Sequence, residues 1–236
     1  MAKNYGVRIS SSSSAIERAS NLPSLTSYTM AAWFRLSALR SAWSTLMTLD
    51  FGASGWSSFA FNPSNQMLIT AYNSHDQVWS VQPPMGVWFY AAATRAGNGS
   101  GNFIGYWGFK DGPLNTQALN QALDSYSPNK INFLNRFASE WINGEAAHMR
   151  VWKRALSEVE LRAEMNSPFA VSTNALDTDI LGYNDQRNRA PGGEWTYTAV
   201  SGGTQELILS NSLDIQILNK FIIPVSTGLT VTSITP

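Results

Sequence analysis

The chain of 236 residues contains no cysteine. That excludes disulfide bridges and thiolate metal ligands, and leaves the redox compartment unread. Charge is scarce as well: Asp, Glu, Lys and Arg make up 14% of residues, against about 25% in a typical globular protein. Sixteen basic and sixteen acidic side chains cancel, so there is no electrostatic footprint for nucleic acid or an anionic membrane. His75 and His148 are the two histidines. A metal site wants histidine clustered with carboxylates, so both are expected to be structural or solvated, with no resident metal or other cofactor. Long apolar runs are missing; FIIPV near the end is interrupted by Pro224, and no membrane insertion is expected. The opening MAKNYGVRISSSSS lacks an apolar h-region, so no Sec signal peptide is expected and the chain should be made in a cytoplasm and stay soluble. No Gly-x-Ser-x-Gly elbow, P-loop or dinucleotide fingerprint occurs.

What is present is alternation. The stretch 26–39 places Tyr28, Met30, Ala32, Phe34 and Leu36 on one parity. Short runs at 44–52, 56–63, 66–73, 87–95 and 102–113 follow, separated by Gly, Pro, Ser, Asn and an Asp-Gly turn signal. Strands at this spacing indicate an all-β sandwich or barrel. The segment AAHMRVWKRALSEVELRAEM (146–165) reads as a strand followed by a helix. Strict alternation puts Ala147, Met149 and Val151 on one face, and His148, Arg150 and Trp152 on the other. Ser157 to Glu160 fits a capping box, and Leu156 with Leu161 a hydrophobic staple, so a short helix is expected near 157–166, ending before Pro168.

HMRVWKRALSEVELRAEM resembles the closing strand and helix of the concanavalin A-like, laminin-G-type jelly rolls. NLPSLTSYTMAAWFRLSA (21–38), with Trp33 in the tryptophan place, and MGVWFYAAATRAGNGSGNFIGYWGFKDGPL (85–114) are similar to two further family segments, in the right order. The resemblance implies a two-sheet antiparallel jelly-roll sandwich over 1–166. Residues 167–236 would then be a β-rich C-terminal extension, docked on the sandwich or paired with another subunit. It also implies core places for Trp33, Trp88 and Trp152. Some members hold calcium in a rim loop; here Asp50 has no second carboxylate nearby, so calcium is possible but unsupported.

Two carboxylates facing one bond would be needed for glycoside hydrolysis. Glu140 and Glu145 have the outer spacing of the laminarinase-type pattern, but Ile142 stands at its middle carboxylate. No catalytic residue is therefore assigned. The nine tryptophans are more suggestive. Trp43, Trp56, Trp79, Trp141 and Trp195 lie near turns rich in Ser, Asn and Gly, where rings suit the C–H faces of sugars or a protein interface. The candidate contact residues are Trp43, Trp56, Tyr72, Asn73, His75, Asp76, Trp79 and Trp141.

These features lead to the expectation of a non-enzymatic binding or assembly module. Its place would be a bacteriophage virion surface, as a capsid decoration or tail attachment protein, made in the host cytoplasm. Its partners would be protein subunits of that larger assembly, whether as a homo-oligomer or bound to a lattice, and cell-surface glycans. The alternative is a cellular carbohydrate-binding lectin, and the third reading a glycoside hydrolase-like enzyme.

Overall fold

A computed structural model describes residues 4–9, 14–19, 24–71, 75–124, 127–136, 139–167, 170–180, 196–199 and 205–210. Along the chain the strands are β1 (Asn4–Ile9), β2 (Ser14–Ala19), β3 (Ser27–Ala38), β4 (Ser44–Asp50), β5 (Trp56–Phe61), β6 (Met67–Ala71), β7 (His75–Val78), β8 (Trp88–Ala96), β9 (Phe103–Gly108), β10 (Leu114–Leu119), β11 (Lys130–Phe133) and β12 (Asn143–Trp152). The helix α1 (Glu158–Met165) follows, and then β13 (Leu176–Ile180), β14 (Thr196–Ala199) and β15 (Gln205–Ser210). Among the described residues no helix is long and apolar enough to cross a membrane.

The strands form two antiparallel sheets. Sheet A runs β10-β9-β8-β3-β12-β1-β15, with β13 also paired to β12; sheet B runs β14-β2-β11-β4-β5-β6-β7. This is the jelly-roll sandwich, and among the described residues one α-helix accompanies it, as the alternation and the capping box indicate. Stretches beyond the closing helix return to both sheets. Thr196–Ala199 pairs with β2 at one edge of sheet B, and Gln205–Ser210 pairs with β1 at one edge of sheet A.

Tyr28, Met30, Ala32, Phe34 and Leu36 of β3 all face the inter-sheet core. Met47 and Leu49 of β4, Phe59 and Phe61 of β5, Ile69 of β6 and Phe89 of β8 meet them there. Each Leu, Ile, Met or Phe among these is worth about 1.5–3 kcal/mol of transfer free energy when fully buried, and all of the side chains named are at 0% exposure. Trp79 belongs to the same cluster. It lies just past β7, its backbone N–H still donating to the Met67 carbonyl at 2.9 Å, and its ring stacks on Phe59 at 4.9 Å between centroids. Gly105 of β9 carries no side chain, and the Trp79 ring fills the space that a Cβ there would need.

Sheet A has a second apolar layer on its outer face. Ala31, Trp33, Trp88, Tyr90, Ala147 and Trp152 pack against Leu156, Leu161 and Met165 on and beside α1. The helix begins where its N–H groups are met locally: the Ser157 hydroxyl accepts from the Glu160 amide, and the Glu160 carboxylate accepts from the Ser157 amide at 2.8 Å. Arg150 and Glu164 form an ion pair of 2.7 Å inside this layer, with side-chain exposures of 2% and 0%. The family-core expectation for Trp33, Trp88 and Trp152 therefore becomes burial under the helix, on the far side of the sheet from the main core.

Strict alternation fails within β12, among other register shifts. Opposite β3, the register of β12 steps from Ala147↔Trp33 to Arg150↔Ala31, so an extra residue is inserted. His148 takes φ 51° there, the signature of a bulge. Ala147 consequently lies in the outer layer while Met149 and Val151 lie in the core.

Candidate functional site

Among the described residues no helix lies over the outer face of sheet B. Cross-strand register sets a row across four strands: Thr48 of β4 opposite Ser58 of β5, Ser58 opposite Thr70 of β6, and Thr70 opposite Asp76 of β7. Asn132 of β11 extends the row beyond Thr48. These are the positions that alternate with Met47, Leu49, Phe59 and Ile69, so the polar face is the necessary complement of the apolar core. Thr48 and Ser58 share a short hydroxyl–hydroxyl bond, and Thr48 also donates to the Ser57 carbonyl at 3.0 Å. Asn132 is fully buried, and neither of its amide atoms has a partner among the described residues.

On this face is a cleft of about 170 Å³. Its floor is Ser58, Ala60 and Thr70, with Thr45 at one end and Asp76 on the edge strand. Its walls are Trp43, Trp56, Arg136 and Glu140. A drug-sized ligand needs roughly 300–1,000 Å³; this cleft encloses a smaller body, on the scale of one ring or the end of a chain.

The loop after β11 supplies the two charged walls. The Glu140 carbonyl accepts from the Thr45 amide at 2.8 Å, which ties the loop to the start of β4. The Thr45 hydroxyl donates to Glu140 Oε2 at 3.3 Å, and Arg136 donates to Oε1 at 3.0 Å. The Arg136 guanidinium also lies 3.5 Å over the Trp56 ring, a cation–π contact. Burial pushes the Glu140 carboxyl above the ordinary carboxylate range, and Arg136 with the Thr45 bond pulls partly back. Burial likewise lowers the Arg136 guanidinium, offset by Glu140 and Asp50. Asp76 is exposed.

Three of the sequence-expected residues thus meet here: Trp43, Trp56 and Asp76. Trp43 is the most open aromatic among them, at 37% exposure. His75 sits beside the cleft on β7, opposite Ala71, with the inward parity. Trp141 packs half-buried against the core at the rim, with Arg40 stacked 4.3 Å over its ring. Trp79 is placed in the core, away from the cleft, for the reasons given above. Tyr72, Asn73 and Trp195 lie outside the described residues. Asp50, the lone carboxylate of the loop where some family members hold calcium, accepts from the Gly52 amide at 2.7 Å, closing a turn. Among the described residues no group of three or more His, Asp or Glu side chains could hold a metal ion.

Sequence reasoning missed Thr45, Ser58, Ala60, Thr70 and Arg136. Ser58 and Thr70 carried a readable signal, because they are the out-of-phase residues of strands whose in-phase residues are large and apolar; Thr45 shares the parity of Met47 and Leu49, and a register shift between Thr45 and Met47 separates it from them. Arg136 had none, since it reaches the cleft from an irregular loop. Glu140 and Glu145 do not face one another. Glu145 is at 1% exposure on the outer face of sheet A, opposite Arg35 and bonded to it at 2.6 Å, whereas Glu140 lies over sheet B.

A family model described as the concanavalin A-like lectin/glucanases superfamily matches residues 10–162. No curated protein matches the chain in sequence. A heptameric SAP-like pentraxin from Limulus polyphemus superposes with a TM-score of 0.59 at 9% identity, over 89% of this chain and 97% of that one. A proposed carbohydrate-binding protein from Bacteroides ovatus superposes with a TM-score of 0.59 at 11% identity, over 87% of this chain and 60% of that one. At such identities the likeness is one of fold.

Proposed function

Since the chain belongs to the concanavalin A-like lectin/glucanases superfamily, we propose that it is a glycan-binding protein whose site is the cleft on the outer face of sheet B. The observation that carries this reading is the exposed ring of Trp43 set beside hydroxyls and carboxylates in a cleft on the polar face of sheet B. An aromatic ring offers a flat surface to sugar C–H groups, and Thr45, Ser58, Thr70 and Asp76 offer hydrogen bonds to hydroxyls. The volume of about 170 Å³ fits a single sugar ring. The superposed Bacteroides ovatus protein, itself proposed to bind carbohydrate, is in keeping with the reading.

The reading is one of binding without turnover. A general acid has to present its proton to the leaving oxygen, and both oxygens of Glu140 are engaged by Arg136 and Thr45. We further propose that the module is displayed on a larger assembly, a bacteriophage virion, in keeping with the charge-poor surface.

The test is a glycan array followed by calorimetric titration of the best ligand. Trp43→Ala weakens binding by tenfold or more, about 1.4 kcal/mol, with the unfolding midpoint unchanged. Undiminished binding by that variant would move the site elsewhere.

A further inference from the structure

The cleft also carries a charge pattern, and that pattern bears on which glycans it takes. We propose that it selects glycans whose bound ring is uncharged and rejects those whose bound ring bears a carboxylate, such as uronates; this rests on the glycan-binding reading above. The lining holds two carboxylates, Asp76 and Glu140, against one guanidinium, Arg136. Recognition of a sugar acid relies on a guanidinium presenting paired N–H groups to the carboxylate. Arg136 is committed elsewhere: it donates to Glu140 at 3.0 Å and lies 3.5 Å over the Trp56 ring. Its side chain is at 5% exposure, so the pair is held in place by its surroundings. A ligand carboxylate would have to share this guanidinium with Glu140, bringing a second negative charge beside a partly buried one.

Asp76 works in the same direction. It stands on the edge strand, exposed, opposite Thr70. Its carboxylate makes no ion pair among the described residues. An ionised carboxylate only accepts hydrogen bonds. It therefore rewards a ligand that donates, as the hydroxyls of a neutral ring do, and repels one that brings a second carboxylate. A ring lying on Trp43 within a cleft of this size cannot put a substituent far from both acidic groups.

The experiment compares matched probes on the full chain: gluco-, galacto- and manno-configured oligosaccharides, and the same oligosaccharides oxidised to the uronate at C6. At pH 7 the neutral member of the best-bound pair binds at least about tenfold more tightly, the size expected when like charges meet in a partly desolvated site. The ratio shrinks as salt is raised, because screening weakens the repulsion. Asp76→Asn narrows the ratio, whatever it does to either affinity alone. A uronate that binds as well as its neutral partner, or a ratio that Asp76→Asn leaves untouched, overturns the selectivity. If such uronate binding is still lost in Trp43→Ala, the glycan site stands and the selectivity alone falls. If no member of any pair binds, both fall.

Discussion

Sheet A closes its outer face under a helix, whereas sheet B keeps a cleft open on its own. Over sheet A, α1 and the chain beside it cover Trp33, Tyr90 and Trp152, and the charged groups beneath are matched inside the layer, Arg150 with Glu164. Over sheet B the members Thr48, Ser58 and Thr70 of the cross-strand row are themselves buried and Asp76 alone is exposed, while a loop brings Arg136 and Glu140 to the margin and leaves a cleft. Both faces belong to strands whose other side is the same core. The difference lies in what alternates with that core: aromatic and Ala residues on β3 and β8, hydroxyl residues on β4, β5 and β6. An apolar outer face requires a cover, and a polar one can stay in contact with water and ligands. Stability is thus concentrated on one outer face and recognition on the other.

The largest break in that division comes from the sealed side. Glu164→Ala leaves the Arg150 guanidinium buried without its partner, and it also removes the acceptor of the Val171 amide at 2.8 Å. Removing one member of a buried pair costs about 3–5 kcal/mol. Denaturant unfolding should show a loss of that size. Glycan affinity, measured where the variant is still folded, should be unchanged, because the cleft is on the other sheet. A variant as stable as the parent would mean that the layer under the helix is not closed.

The second test uses pH. His148 is at 2% exposure, both ring nitrogens lack partners among the described residues, and burial beside Arg150 lowers its pKa from the usual 6.5 to about 3. In the unfolded chain it takes up a proton below pH 6.5; in the folded protein it stays neutral until about pH 3. Between those values the unfolded state holds the extra proton, so folding stability falls as pH falls. Each tenfold difference in proton affinity between the two states is worth about 1.4 kcal/mol, so the whole window is worth on the order of 5 kcal/mol. Glu140 acts the other way, since its raised pKa favours the folded state on acidification. His148→Asn keeps a residue type that tolerates φ 51°, and removes the titration. Unfolding free energies between pH 3 and 7 should slope less in that variant, and an equal slope would take His148 out of the account.

How much of this was legible depended on whether the cause was local. The parity of Tyr28 to Leu36 and the box of Ser157 with Glu160 are set within a few residues, and both appear as the sequence indicates. The bulge at His148 is not local in that sense. One inserted residue resets the parity of everything after it, so Ala147 and Met149 part company although they are two residues apart. Trp79 has the neighbours of a surface ring, but its backbone continues the β6–β7 ladder and its ring enters the space above Gly105. In the cleft, Trp43, Trp56 and Asp76 each stood out alone. What joins them is the register of β4, β5, β6 and β7 and the fold of one loop, and neither is written in any single segment.

The smallest effect sharpens the comparison by separating burial from charge. The same helix that holds Glu164 also holds Glu158, paired with Arg162 one turn on at 2.6 Å. The chemistry matches the buried pair, but these side chains are 46% and 41% exposed. Water and salt screen them, and an exposed pair of this kind is worth about 0.3–0.5 kcal/mol. Glu158 in the first turn adds a comparable contribution with the helix dipole. Glu158→Gln should therefore cost less than about 1 kcal/mol in denaturant unfolding, and the difference from the parent should shrink in high salt. The cost of Glu164→Ala should persist in the same salt, because little solvent reaches Arg150. If the two variants lost stability equally, charge rather than burial would be what holds the helix to sheet A, and the contrast between a sealed face and an open one would lose its physical basis.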